Sequence, residues 1–251
     1  MIIRKYFGTN NLDLDFEQVS TQGYAISLDD CIDFIMKHTH KGELRDDVRR
    51  TYDYIYPKVA IREFVINALI HQDFAISGMQ ITVEIFKDRV WITNPGASLN
   101  DINRLIDLPP LSRNEVLADM MFLLNFCEKR GSGVDKAIMA IEQKRLPAPK
   151  FSMSEVHTRI TMFPMKKLAE MRQDEKIMAC FQHACILFED NKVLTNQTVR
   201  ERFGIERRNS ATASRIIIDT LNKGLIKQLV SENESKRYAS YVPYYGWDPF
   251  D

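Results

Sequence analysis

An α+β domain of helices laid on a sheet, followed by a smaller module of three helices and two strands, is the architecture that this 251-residue chain encodes. Three observations lead there. Residues 57–72 form an apolar run too long for a strand, and residues 80–93 alternate apolar and polar around a tight polar connection, so a buried helix stands next to a hairpin. A loop-rich stretch with two Gly-x-Gly or Pro-Gly breaks then leads to a returning strand near Arg159–Phe163. After Met165 the residues change to glycine-poor helix formers until Gly204 and Gly224, and two short strands close the chain.

Residues 1–24 alternate unevenly around Gly8-Thr9-Asn10-Asn11 and are expected to form an N-terminal arm or extended strand. Ser27, followed by Asp29 and Asp30, reads as the cap and acidic first turn of a helix that ends near His38–Gly42. Pro57 opens the central helix, because its missing N–H costs nothing in a first turn. In this helix Val59, Ile61, Phe64, Val65, Ile66, Leu69 and Ile70 cover almost the whole circumference, and Glu63, Asn67 and His71 interrupt it at i, i+4 and i+8. An unpaired buried polar group costs roughly 1–3 kcal/mol, so this column either faces a polar site or belongs to a core network.

Strands are expected at Gln80–Phe86 and Val90–Thr93, the second ended by Asn94-Pro95-Gly96. Residues 97–114 read as a binding or lid loop with a short helix at Asp101–Ile106. Helices follow at Glu115–Phe126 and Val134–Ile141, separated by Gly131-Ser132-Gly133. The α+β domain is thus placed at residues 25–166 and the second domain at 167–251, with helices at Asp174–Glu189, Thr195–Phe203 and Asn209–Lys223 and strands at Leu225–Val230 and Arg237–Val242. Three helices and a two-stranded hairpin are the plan of a winged helix, whose third helix enters the DNA major groove.

Lys+Arg and Asp+Glu both number 34, so any nucleic-acid contact has to come from a local patch. Residues 200–237 supply one: nine Lys or Arg stand against five Asp or Glu, a surplus of four. Within it Arg207, Arg208, Asn209, Ser210, Thr212, Ser214 and Arg215 at the front of the third helix, and Lys236 and Arg237 in the hairpin, are the candidate contacts to double-stranded DNA. Cys31, Cys127, Cys180 and Cys185 lack C-x-x-C spacing and read as buried free thiols of a cytoplasmic protein. The five histidines lack paired metal-ligand spacing, apart from His38-x-His40, and no apolar run is long enough to span a membrane.

The run Arg62-Glu63-x-x-x-Asn67-Ala68-x-x-His71-x-Asp73, then Asn94-Pro95-Gly96, then Glu128-x-Arg130-Gly131-Ser132-Gly133, resembles the RecG-like transcriptional regulators. Members of that family carry a divergent GHKL-type ATPase domain and commonly a winged helix after it. The resemblance therefore implies a GHKL-like helix-on-sheet sandwich followed by a winged helix, without the Schlafen-like AlbA module usual at the N-terminus. It implies Glu63 as the general base toward water and Asn67 as the Mg²⁺ ligand, with ATP held by Asn67, His71, Asn94, Gly96, Arg130, Gly131 and Gly133. Both residue types suit those roles, a carboxylate as base and an amide oxygen as hard ligand. The adenine-gripping Asp of the family's first glycine motif is replaced here by Asn94, and its second glycine is absent. No G-x-x-x-x-G-K-[ST] occurs, which excludes a helicase motor of that type. The functions left are a DNA-binding regulator with a degenerate nucleotide domain, a Mg²⁺-dependent ATPase, and an assembly module that docks on a partner or forms a homodimer.

Overall fold

The structure, a computed structural model, describes residues 1–45, 50–127, 131–229 and 239–247, with 40–45 and 50–53 traced by their backbone alone. The chain divides into two compact units, Met1–Ile141 with Pro149–Pro164, and Glu142–Ala148 with Met165–Asp251.

The first unit is built on a six-stranded sheet of β1 (Ile2–Tyr6), β2 (Leu14–Val19), β5 (Thr82–Ile85), β6 (Val90–Pro95), β7 (Lys150–Met153) and β8 (His157–Met162). The strand order is β2-β1-β5-β6-β8-β7, and only β1 and β5 run parallel among these neighbours. Register puts Ile3, Val83, Ile92, Ile160 and Phe151 side by side on one face. Three of them are at most 2% exposed, so this face is the sheet's half of the core. Helices α1 (Tyr24–His38) and α2 (Lys58–His71) provide the other half, and a separate hairpin, β3 (His40–Arg45) and β4 (Arg50–Tyr54), connects them. Helices α3 (Glu115–Leu123) and α4 (Gly133–Gln143) follow β6, the last two residues of α4 belonging to the second unit. This is the expected mixture of a central sheet and covering helices.

Several local expectations change. Residues 1–24 are no separate arm: β1 is inserted between β2 and β5, because burial of Ile3 and Tyr6 outweighs the weak alternation of the segment. The first helix starts at Tyr24 with Gly23 as its cap, so Ser27 lies inside it, buried and donating to the Gln22 carbonyl. Pro95 does not stop β6 early. It pairs with His157 as the last residue of the strand, where its missing N–H breaks no bond and its carbonyl accepts from Asp73 N at 2.9 Å. Residues 101–106 form turns, not a helix, and Arg104 pairs with Asp107 there. The α3 helix stops at Leu123, short of Phe126, because Asn125 takes a left-handed φ of 60° and Phe126 N returns to the Met121 carbonyl. Strands β3, β4 and β7 carry no clear alternation and were not expected.

The second unit contains α5 (Gln173–Glu189), α6 (Asn196–Phe203), a 3-10 turn at Arg207–Asn209, α7 (Ser210–Asn222), and the antiparallel pair β9 (Ile226–Leu229) and β10 (Ser240–Pro243). Leu194 bridges to Tyr241, adding one more rung beside that pair. Ala213, Ile216, Ile217 and Thr220 form the buried stripe of α7, at the spacing of one helix face.

Candidate functional site

A cavity of about 500 Å³ opens between the inner face of the sheet and α2, α3 and α4, within the first unit. That is the size of ordinary small-molecule sites. Its wall includes Glu63, Asn67 and His71 from α2, Asn94 from β6, and Gly131 and Gly133 before and at the start of α4. Five of the seven residues expected to hold a nucleotide therefore converge on one hollow, together with Glu63, the expected general base. Gly96 is buried next to it, and Arg130 lies outside the described residues.

The polar column of α2 is not one hydrogen-bonded network. Glu63 is 6% exposed, and its Oε1 accepts from Arg62 Nη2 at 2.8 Å. Its Oε2 lies against Gly133, where a Cβ would come within 2.6 Å of it. Asn67 is half-buried on the cavity wall, and its amide makes no hydrogen bond among the described residues. Burial, with the charge of Arg113 in support, lowers the His71 pKa, while a hydrogen bond with the Leu111 backbone opposes the shift. His71 is thus a neutral ring at pH 7 and not a cationic phosphate ligand.

Asn94 is buried and donates Nδ2 to the Pro95 carbonyl at 3.0 Å. This bond uses one of the two amide N–H donors, and the oxygen keeps the acceptor character that a carboxylate would have supplied. Gly96 has φ +96°, and a Cβ there would lie 2.8 Å from Asp73 Cβ, so both dihedral and space require glycine. Gly131 also has a positive φ, +73°, and packs on Pro110.

Residues that the sequence did not single out complete the frame. Arg113 Nη1 pairs with Asp73 at 3.2 Å and Nη2 donates to the Ala97 carbonyl at 2.9 Å, tying the long loop to the end of α2. Asn114 Nδ2 donates to the Ile70 and Gln72 carbonyls, both at 2.8 Å, and so satisfies acceptors that a helix end leaves free. Cys127 is half-buried and lines the cavity, unlike the three buried cysteines. Burial raises its pKa and Glu63 adds to the effect, while burial pushes Cys31 and Cys180 up to about 12, so all three remain thiols. Only the adjacency Arg113-Asn114 after a proline pair hinted at this clamp.

Among the described residues the charged lining is Glu63, Glu115 and Asp119 against Lys136. A polyphosphate entering such a wall needs a divalent cation with it, and no group of three or more His, Cys, Asp and Glu among the described residues forms a metal site on its own.

In the second unit Arg207, Arg208, Asn209, Ser210, Thr212, Ser214 and Arg215 are all exposed, on the 3-10 turn and the outer side of α7. Arg208 pairs with Glu206 at 2.6 Å, and Asn196 Nδ2 reaches Ser214 Oγ and the Ser210 carbonyl, each at 2.9 Å. Lys236 and Arg237 lie outside the described residues. Arg202, counted in the basic surplus, is not available to a ligand: its side chain is 3% exposed, 3.2 Å from Glu142, and donates to the Leu146 carbonyl. No helix among the described residues is long and apolar enough to cross a membrane.

Comparison with known proteins bears on the fold and on part of the sequence. Among solved structures, the DIP2311 protein from Corynebacterium diphtheriae superposes on 97% of this chain and 51% of its own, with a TM-score of 0.60 and 16% identity. That likeness concerns the fold, and the chain spans about half the length of that protein. No curated protein matches the sequence. Residues 78–162 match the family described as "Putative ATP-dependent DNA helicase recG C-terminal". The match takes in Asn94, Gly96, Gly131 and Gly133 but begins after α2. In sequence, then, the segment from β5 to β8 is similar to a RecG-like domain of the ATPase type.

Proposed function

We infer that the first unit is a nucleotide-binding domain that takes ATP with Mg²⁺ in the cavity beneath α2. The observation that carries this reading is the convergence of Glu63, Asn67, Asn94 and Gly133 on one cavity of about 500 Å³. Asn67 offers an amide oxygen that no other described residue occupies, the kind of hard neutral ligand Mg²⁺ accepts beside phosphates. The α4 helix starts at Gly133 on the cavity wall, and the positive end of a helix dipole favours phosphate oxygens. Asn94 supplies an acceptor for the exocyclic amine of adenine. The bound Mg²⁺ would offset the carboxylates of the wall. Glu63 Oε2, held at the wall while Arg62 occupies Oε1, is the group placed to accept a proton from water if hydrolysis occurs. Calorimetry tests the reading: ATP with Mg²⁺ gives a saturable heat that EDTA abolishes, and absence of heat under both conditions refutes it.

A second reading is supported by the second unit. Its helices and strand pair follow the order of a winged helix, and the exposed start of α7 carries three arginines and four short polar side chains nearby. In this reading the protein is a transcriptional regulator that lays α7 on duplex DNA. Fluorescence anisotropy with duplex DNA checks it: affinity falls steeply with added salt, and Arg215→Ala flattens the slope by about one contact. Salt-insensitive or absent binding would dismiss it.

A further inference from the structure

Seven of the nine residues of α3 are apolar, yet only Met121 is buried. Val116 and Leu123 are each 75% exposed, Met120 54% and Leu124 52%. Positions 116, 120, 123 and 124 fall at i, i+4, i+7 and i+8, one continuous stripe. Phe74, also exposed, lines the same shallow groove as Val116 and Met120, which extends the patch past the helix. The opposite side of α3, with Glu115, Ala118, Asp119 and Phe122, faces the cavity, so the stripe is a surface apart from the nucleotide site.

These five side chains leave on the order of 500 Å² of apolar surface in water, near the upper end of the ~300–600 Å² of the largest patch on a monomer. It is also more than half of the ~800 Å² that one partner contributes to a stable interface. We propose that the stripe is the centre of a homodimer, with α3 packed antiparallel on α3 of a second copy about a two-fold axis near Met120.

The stripe reads alike in both directions from Met120: Val116 lies four residues before it, Leu123 and Leu124 three and four after it. A two-fold axis there sets Met120 against Met120 and Val116 against Leu123 and Leu124, apolar on apolar throughout, as an isologous interface requires. Antiparallel packing also opposes the helix dipoles and carries the two Glu115 side chains to opposite ends. A lipid surface fits less well, because the charges of α3 are Glu115 and Asp119, and amphipathic helices that bind membranes carry cations on their polar side.

Sedimentation of the whole chain tests the proposal. The wild type sediments at twice the chain mass, and Val116→Glu with Leu123→Glu, both at exposed positions and checked for unchanged circular dichroism, raises the dimer dissociation constant at least about 100-fold. Val19→Glu, at an exposed site on the edge strand β2, leaves the dimer intact. A wild type that stays monomeric up to about 100 µM overturns the proposal, as does a dimer that survives in the double variant or is lost only in Val19→Glu. ATP plays no part in this test, so its failure would leave the nucleotide site untouched.

Discussion

Gly133 has no room for a side chain, and the group it would displace is Glu63. Gly133→Ala therefore moves the carboxylate without burdening the helix, since alanine is the better helix former by up to about 1 kcal/mol. The expected result is a melting temperature at or above wild type and an ATP affinity at least about tenfold weaker, about 1.4 kcal/mol, by calorimetry. His71 gives a second prediction through its lowered pKa. The unfolded chain takes up a proton near pH 6.5 that the folded chain resists, so this residue supports stability above that pH and the support is lost as pH falls below it. Urea midpoints should drop between about pH 7.5 and 5.5 in the wild type, and drop less in His71→Gln. A larger drop in the variant would contradict the burial argument. At these positions the sequence was informative, because polar residues in an apolar helix need a reason to be there. The setting of Asn94 was not, since its hydrogen bond to the carbonyl one residue away follows from backbone geometry.

The elements around the cavity depend on caps from distant segments. Asn114 closes the end of α2 from 42 residues away, and Asn114→Ala should cost about 1–2 kcal/mol and loosen the loop that it anchors, read as faster hydrogen exchange at residues 97–114. In the second unit Glu142 serves two partners, Arg202 Nε at 3.2 Å and His183 Nδ1 at 2.9 Å. Burial lowers the Arg202 pKa and the Glu142 charge opposes it. Glu142→Ala strands that guanidinium, and about 3–5 kcal/mol of stability should be lost in denaturant unfolding. Such pairings join residues far apart in the chain, and periodicity carries no trace of them. For the same reason Arg202 counted toward the basic surplus in sequence and is a structural cation in the fold. The α3 helix shows the converse: its composition was plain, but a row of apolar residues does not say which side faces solvent.

Across the whole molecule, the order of helices and strands followed from apolar periodicity and from the glycine and proline breaks, as the long elements α2, α5 and α7 show. What periodicity left out was the sheet's composition, because β1, β2 and β7 owe their pairing to neighbours and not to their own alternation. Two functions are proposed for two units, nucleotide in the first and duplex DNA in the second, and each has its own test. The account rests above all on the placement of ATP at the meeting of α2, β6 and α4. Hydrogen–deuterium exchange with and without ATP and Mg²⁺ addresses that placement directly. The account predicts slower exchange at the end of α2, around Asn94–Gly96 and at the start of α4, and less of it in Gly133→Ala at an ATP concentration that half-saturates the wild type. Unchanged exchange there, or protection confined to other segments, would contradict it.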